Sequence, residues 1–307
     1  MDLTVLFDKM FIFLVLMAIG YFCARKGFMT PAFTKTASSL TINVFMSATI
    51  LNAVLNTDMA LSPGELGKAL LVVCAMQLIS YALAFLTARL PLERQYNAEF
   101  ELLMSFGNNL FIALPIVDGL FGPMAVFYVS LSSIPFNLYL YTYGVWRLKS
   151  GSGEQGLRLK DILSLPLGAT FIGLALVLLH PSVPSAVRGL IGSMAGATMP
   201  MSMLVLGASL GKVSPLEAFR RKPLYINSLV RLVLAPLVVW LLLRFVTQDQ
   251  VLLMTAVITA ACPSAVIVSV LAIQYGKSGI YTAEGILHST VLSMLSIPLL
   301  VWLLNSL

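Results

Sequence analysis

The chain has 307 residues, of which 59% are hydrophobic and only 10% are charged. Soluble domains carry about 25% charged residues, so a soluble protein could not cover this much apolar surface. The composition therefore predicts an all-α integral membrane protein with no soluble domain. The net charge of +6 does not indicate nucleic-acid binding, because the basic residues cluster in alternate loops, as the positive-inside rule predicts.

The hydropathy pattern along the chain predicts about ten transmembrane helices of roughly 20 residues each. The predicted spans are residues 3–24, 36–57, 65–88, 98–121, 124–146, 161–179, 186–211, 223–245, 250–275 and 280–304. The polar stretch 147–160 contains Gly and Ser residues typical of a flexible linker. It divides the chain into residues 1–146 and 161–307, with five predicted helices on each side.

The loops alternate in basic charge. Fourteen basic residues lie in one set of loops: Arg25, Lys26, Lys35, Arg89, Arg94, Arg147, Lys149, Arg158, Lys160, Lys212, Arg220, Arg221, Lys222 and Lys277; four lie in the other: Lys9, Lys68, Arg188 and Arg244. The richer set is predicted to be cytoplasmic. We therefore expect a multi-pass protein of the plasma (inner) membrane with both termini on the non-cytoplasmic side.

Two spans contain a sequence that interrupts a helix. Span four carries Gly, two Asn and Pro115, and span nine carries Pro263 in a matching position. Five helices on each side of the linker give the halves opposite orientation, so we interpret them as inverted repeats with crossed broken helices four and nine. Each proline is expected to start a second half-helix, since proline suits the first helical position. The alternative is a pair of ordinary proline kinks.

The crossover is the predicted anion site. Half-helix N-termini carry partial positive charge and unbonded N–H groups, so two that converge attract an anion. Asn108 and Asn109, just under two turns before Pro115, offer amide donors to a carboxylate. With Pro263 and Ser264 these residues form the predicted substrate-binding set. The alternative for the two amides is hydrogen bonding between helices.

Three further ionisable residues inside predicted spans are functional candidates. Asp118 and His288 are the candidates for ion coupling, since intramembrane ionisable groups are costly and commonly functional. The alternatives are an interfacial position for Asp118 and simple packing for His288. Arg231 either binds substrate or, as we favour, extends its side chain to the cytoplasmic face.

Other features indicate structure rather than chemistry. Cys23, Cys74 and Cys262 have no metal-ligand spacing, and no hydrolase or nucleotide-binding motif has a supporting context. We therefore expect no enzyme, metal or cofactor. The glycines of span seven, Gly192, Gly196, Gly207 and Gly211, form i, i+4 pairs spaced for tight helix packing.

These motifs resemble those of the auxin efflux carrier family, which includes the plant PIN-type carriers and bacterial transporters linked to malonate or malate. Residues 108–115 with 118–122 are similar to the family pattern of span four. Residues 262–265 with 272–276 are similar to that of span nine, and 206–210 to that of span seven. The resemblance covers essentially the whole chain.

The resemblance implies a ten-helix fold shared with bile-acid carriers and some sodium/proton carriers. Helices one, two, six and seven would form a scaffold, and helices three to five and eight to ten a transport domain, often in a homodimer. Asn108 corresponds to the crossover Asn, and Pro115 and Pro263 to the crossover prolines. Two positions depart from the family: Ser47 stands where many members have Pro, and Asn109 where Thr is common.

The resulting hypothesis is a secondary transporter of a small organic anion, a carboxylate such as malonate, malate or an auxin-like acid. It would work by alternating access, with the anion at the crossover and either proton or sodium coupling. One alternative is a sodium-coupled, bile-acid-like symporter, which ranks lower because the spans contain few acids. The other is a non-transporting membrane sensor, which would need an output domain.

Overall fold

The computed structural model describes residues 3–55, 62–149, 165–179, 182–211 and 213–305. Regular structure in these ranges is helical, apart from an isolated antiparallel bridge between Gly107 and Ser264. The helices lie where the sequence predicts spans. The largest shift is in the second helix, which begins at Pro31 rather than at residue 36. Residues 150–160 of the predicted linker lie outside the described residues.

We number the helices so that each carries the number of its predicted span, with letters for the two halves of a broken helix. They are α1 (Leu3–Arg25), α2 (Pro31–Leu55), α3 (Pro63–Ala88), α4a (Asn97–Ser105), α4b (Asn109–Phe121), α5 (Pro123–Lys149), α6 (Leu165–Leu179), α7 (Ser185–Leu210), α8 (Lys222–Leu243), α9a (Gln250–Ala261), α9b (Val266–Gln274) and α10 (Gly279–Asn305). A short helix, Pro215–Arg220, precedes α8.

Length and hydropathy make this a multi-pass membrane protein. Helices α2, α3, α5, α7, α8 and α10 are each long and apolar enough to cross a membrane. Helices α4b and α9a are apolar but shorter, because each is only part of an interrupted span. Large apolar side chains such as Phe11, Leu78 and Leu295 are mostly exposed, and lipid tails cover such a surface without the cost that water would impose.

Local sequence sets where several helices begin. Ser62, Pro63 and Glu65 form a capping box with proline at the first helical position of α3, which satisfies N–H groups left unbonded at a helix start. Asp249 caps α9a by accepting the N–H of Val251 at 2.9 Å. The hydroxyl of Tyr128 in α5 also donates to this carboxylate at 3.0 Å, so the start of α9a is fixed to α5.

The broken helices lie in the interior. Every residue of α4a from Ala98 to Ser105 is buried, as is every residue of α9a from Leu252 to Ala261. Helix α3 packs against α4a, α5, α8 and α9a, whereas α1 packs mainly on the second half of α7 and α2 on α6 and the first half of α7. The other helices therefore enclose the two breaks.

Glycines bring α1 and α7 into backbone contact. A Cβ on Gly207 would lie 1.9 Å from the carbonyl oxygen of Met17, and one on Gly20 would lie 2.1 Å from that of Leu204. A Cβ on Gly211 would lie 2.7 Å from the Cβ of Ala24. The predicted packing role of the span-seven glycines is thus confirmed for Gly207 and Gly211, with α1 as their partner. It is wrong for Gly196, where a Cβ would meet nothing within 4 Å, and at Gly192 a Cβ would lie 3.3 Å from Oδ1 of Asn52.

We expect Gly207→Ala to separate α1 from α7 and to destabilise the protein by about 1–3 kcal/mol, the usual cost of overpacking. The matched control is Gly189→Ala, on the same helix, where a Cβ would meet nothing within 4 Å and where alanine is the better helix former. Thermal unfolding of both variants in detergent measures the difference. Equal Tm values would contradict the close contact.

Candidate functional site

The two broken helices cross at their breaks. The N–H of Asn108 donates to the carbonyl of Pro263 at 2.7 Å, and the N–H of Ala265 donates to the carbonyl of Phe106 at 2.8 Å. With the bridge between Gly107 and Ser264, these bonds join residues 106–108 to residues 263–265. The structure therefore brings together the two breaks that the sequence predicts.

Arg231 of α8 bonds the ends of both first half-helices. Its Nη1 donates to the carbonyls of Met104 at 2.9 Å and Ser105 at 3.3 Å, and its Nε donates to that of Cys262 at 2.8 Å. Helix ends leave such carbonyls without intrahelical partners. The side chain is buried, with 3% of its surface exposed. The expectation that Arg231 extends to the cytoplasmic face is wrong, because these inward-lying carbonyls bind it.

Gly107 makes room for this guanidinium. A Cβ at Gly107 would lie 1.7 Å from Nη2 of Arg231 and 2.9 Å from Oδ1 of Asn109. Only glycine therefore allows the backbone to approach the cation so closely. Arg231 itself lies in a π-helical turn, Val230–Leu234, and such wide turns are frequent at functional sites.

Ser264 ties the crossing to its neighbours. Its hydroxyl donates to the carbonyl of Leu103 at 2.7 Å, and its N–H donates to Oγ of Ser289 in α10 at 3.1 Å. The hydroxyl proton of this predicted substrate-binding residue is thus already used in the fold. Ser264 supports the crossing, and any contact with substrate is limited to its acceptor capacity.

Asn108 and Asn109 hold unused hydrogen-bonding capacity beside the crossing. Asn108 is the N-cap of α4b, and its Oδ1 accepts the N–H of Phe111 at 3.3 Å. In the described part of the chain, Nδ2 of Asn108 and Oδ1 of Asn109 are buried and without a hydrogen-bond partner. A buried polar atom left unpaired costs about 1–3 kcal/mol. The pair therefore offers one donor and one acceptor to a ligand.

The two prolines occupy different places. Pro263 lies in the break, but α9b begins three residues later at Val266, and Pro115 lies inside α4b, more than one turn after Asn109. The prediction that each proline starts a second half-helix is therefore wrong: Asn108 caps α4b earlier, and Pro115 lies only at the start of its regular α-helical part, Leu114–Phe121. The turn before Pro115, Asn109–Ala113, is π-helical. We attribute this widened turn to the missing N–H and the bulk of the proline ring.

Comparison with known proteins assigns the chain to a family. A family model described as "Membrane transport protein" matches residues 5–301. The chain belongs to the auxin efflux carrier family. It is therefore a membrane transporter and not an enzyme.

Its relatives are also named as transporters. An uncharacterized transporter of Methanocaldococcus jannaschii is 25% identical over 309 residues, which is 97% of this chain and 98% of the relative. One of Methanothermobacter thermautotrophicus is 26% identical over 299 residues, 93% and 94% of the two chains. A Rhizobium meliloti protein named "Putative malonate transporter" is 31% identical over 141 residues, 45% of this chain and 43% of the relative.

Asp118 of this auxin efflux carrier family member lies away from the crossing residues. It is exposed and lines a cavity of about 220 Å³ together with Thr49, Asn52 and Gly192. This cavity lies between α2, the end of α4b, the start of α5 and the first half of α7. None of the residues that form the crossing lines it. Asp118 therefore lies in a separate cavity and not at the predicted anion site.

His288 is completely buried. Its Nδ1 and the hydroxyl of Ser228 in α8 are 2.8 Å apart, and its ring lies 4.8 Å from that of Phe219 and 4.5 Å from that of Tyr225. The neighbouring Ser289 is bonded to the crossing. The surroundings of His288 fit the packing alternative, although its Nε2 has no partner among the described residues.

Two ion pairs with buried carboxylates were not predicted from the sequence. Nε of Arg147 lies 2.8 Å from Oε2 of Glu101, and Arg221 pairs with Glu284 in the same way. Both carboxylates are almost fully buried, at 2% exposure. The partners are 46 and 63 residues apart in the chain, so no local spacing indicates them. The sequence signal that could have indicated them is an acid within spans four and ten, Glu101 and Glu284, since a carboxylate inside a membrane usually pairs with a cation.

Proposed function

We propose that this protein is a secondary transporter of a small organic anion, and that the anion binds where α4 and α9 cross. The observation that carries this proposal is the unpartnered amide donor, Nδ2 of Asn108, buried beside two half-helix N-termini. A relative named for malonate supports a carboxylate as the substrate class, with malate and auxin-like acids as the other members to test.

The charges at the crossing favour an anion. Each helix N-terminus carries roughly +0.5 and each C-terminus roughly −0.5 of an elementary charge. The C-termini of α4a and α9a meet the positive guanidinium of Arg231, which offsets them. The N-termini of α4b and α9b are then left with partial positive charge. A carboxylate placed there supplies the missing negative charge and an acceptor for Asn108.

The contact between α4b and α7 lies at the boundary between the two groups of helices that we propose to move. The first turn of α4b, Asn109–Ala113, packs against the second half of α7, Thr198–Leu210, where Ser202 has a buried hydroxyl without a partner in the described residues. An anion at the crossing would lie near this boundary. We propose alternating access in which α3–α5 and α8–α10 shift against a scaffold of α1, α2, α6 and α7, the two groups being built from inverted repeats.

Replacing Asn108 by Ser tests the anion site. Serine preserves the N-cap of α4b but removes the amide donor. A hydrogen bond to a charged group contributes about 1.5–3 kcal/mol, so the Kd for malonate should rise roughly tenfold to a hundredfold while Tm stays close to that of the wild type. Asn108→Ala should weaken binding similarly and also cost about 0.5–2 kcal/mol of stability through loss of the cap.

The matched control is Asn137→Ala. The Asn137 amide donates to the Ser133 carbonyl of its own helix at 2.8 Å, so its loss should leave the Kd unchanged. Calorimetric titration of purified protein with malonate, malate and an auxin-like acid measures both variants. If a carboxylate binds the wild type and binds Asn108→Ser equally well, Asn108 is only a helix cap and the site lies elsewhere.

The loop charges lead us to propose that both termini are non-cytoplasmic. The test uses a protein in which Cys23, Cys74 and Cys262 have been replaced. Gln248 is exposed between α8 and α9, and a cysteine introduced there should react with an impermeant maleimide added to intact cells. A cysteine at Phe28, which is 81% exposed between α1 and α2, should react only after permeabilisation. The opposite pattern would overturn the orientation.

Asp118 is our first candidate for proton coupling, since it lines the cavity that lies on the proposed outer side. Asp118→Asn cannot exchange a proton, so it should lose accumulation of malonate against a gradient but retain exchange of internal for external malonate. Proteoliposome uptake at several pH values measures both. If accumulation by Asp118→Asn keeps the pH dependence of the wild type, Asp118 is excluded and His288 becomes the residue to test.

A further inference from the structure

We infer that Arg231 is a resident cation: its guanidinium occupies a cation-binding site formed by the backbone carbonyls at the ends of α4a and α9a. In secondary transporters, unwound carbonyls and half-helix C-termini are the groups that coordinate a coupling sodium ion. Here a side chain of the protein supplies the positive charge. The consequence for coupling rests on the proposed function, but the existence of the site does not.

The contacts of Arg231 are those of a cation among carbonyl ligands. Three carbonyl oxygens, of Met104, Ser105 and Cys262, accept its N–H groups at 2.8–3.3 Å. Within the described ranges its guanidinium forms no ion pair with a carboxylate. The negative ends of two helix dipoles therefore stabilise its charge, as they would a metal ion.

The space around the guanidinium is closed. Arg231 is 3% exposed, and Gly107 approaches Nη2 so closely that a single added Cβ would overlap it. A sodium ion would need the same carbonyl oxygens that Arg231 already holds. The two cations are therefore mutually exclusive at this position.

This arrangement predicts that sodium has no role at the crossing. The positive charge stays with the crossing in every state of the transport cycle, whereas a sodium ion would enter and leave with the substrate. The sodium-coupled alternative is thereby disfavoured. Removing the Arg231 side chain should instead create a vacant cation site that a small guanidinium ion can fill.

The first experiment needs no substrate. The Tm of the purified full-length protein is measured in NaCl and in choline chloride at equal ionic strength, with and without millimolar methylguanidinium. The wild type should respond equally to sodium and choline and show no gain from methylguanidinium. Arg231→Ala should unfold at a lower temperature and regain Tm with increasing methylguanidinium, in a saturable manner expected of a ligand that binds the native state.

Three further variants make the test specific. Arg188→Ala is the matched control, because the Arg188 guanidinium also donates to a carbonyl, that of Leu55 at 2.6 Å, but at a partly exposed helix end; methylguanidinium should not raise its Tm. Arg231→Lys keeps the charge and should be less destabilised than Arg231→Ala. Gly107→Ala should displace the guanidinium, lower Tm on its own, and add little when combined with Arg231→Ala.

The outcomes separate this inference from the proposed function. A specific rise in wild-type Tm with sodium, or an Arg231→Ala protein as stable as the wild type, would overturn the resident cation whatever the substrate is. If Arg231→Ala cannot be purified, the double variant of Gly107→Ala and Arg231→Lys is compared with the two single variants. A Tm loss in the double variant equal to the sum of the single losses would also overturn the resident cation. Malonate uptake by the wild type should be the same under sodium and choline; absence of any anion uptake would contradict the proposed function and leave the Tm result standing.

Discussion

Where a helix is broken inside a membrane, the peptide groups at the break need hydrogen-bond partners from the protein, because hydrocarbon offers none. This constraint accounts for the centre of the molecule. Arg231 and the Ser264 hydroxyl bond carbonyls at the ends of the first half-helices, and the Asn108 side chain bonds an N–H at the start of a second one. Each of these polar side chains occupies a place where water would otherwise be needed.

The same constraint separates the two signs of charge at the crossing. The carbonyl ends of α4a and α9a face a cation that belongs to the protein, while no ion pair among the described residues supplies a fixed counter-charge to the N–H ends of α4b and α9b. The charge that compensates the helix C-termini is thus part of the protein, whereas the helix N-termini are open to a ligand. In the proposed function, the resident guanidinium occupies the place of a cation and leaves the open half of the crossing to an anion.

Sequence was sufficient for features that depend on neighbouring residues. Apolar runs predicted the helices, and Gly107, the adjacent amides and Pro263 predicted the breaks. It was insufficient where the outcome depends on distant partners. Arg231 is held by carbonyls 31 to 127 positions away, so its burial could not be inferred from α8 alone. Pro115 was misplaced because the Asn108 cap, rather than the proline, determines where α4b begins.

The long sequence separation within the crossing has a consequence for biosynthesis. Residues 106–108 are made well before Arg231 and before residues 262–265, and chains insert from the N-terminus onward. Until α8 arrives, the carbonyls of Met104 and Ser105 lack the guanidinium that bonds them in the finished protein. The first half of the chain therefore cannot adopt its final form alone, and the break in α4 becomes stable only after α8 and α9 have entered the membrane.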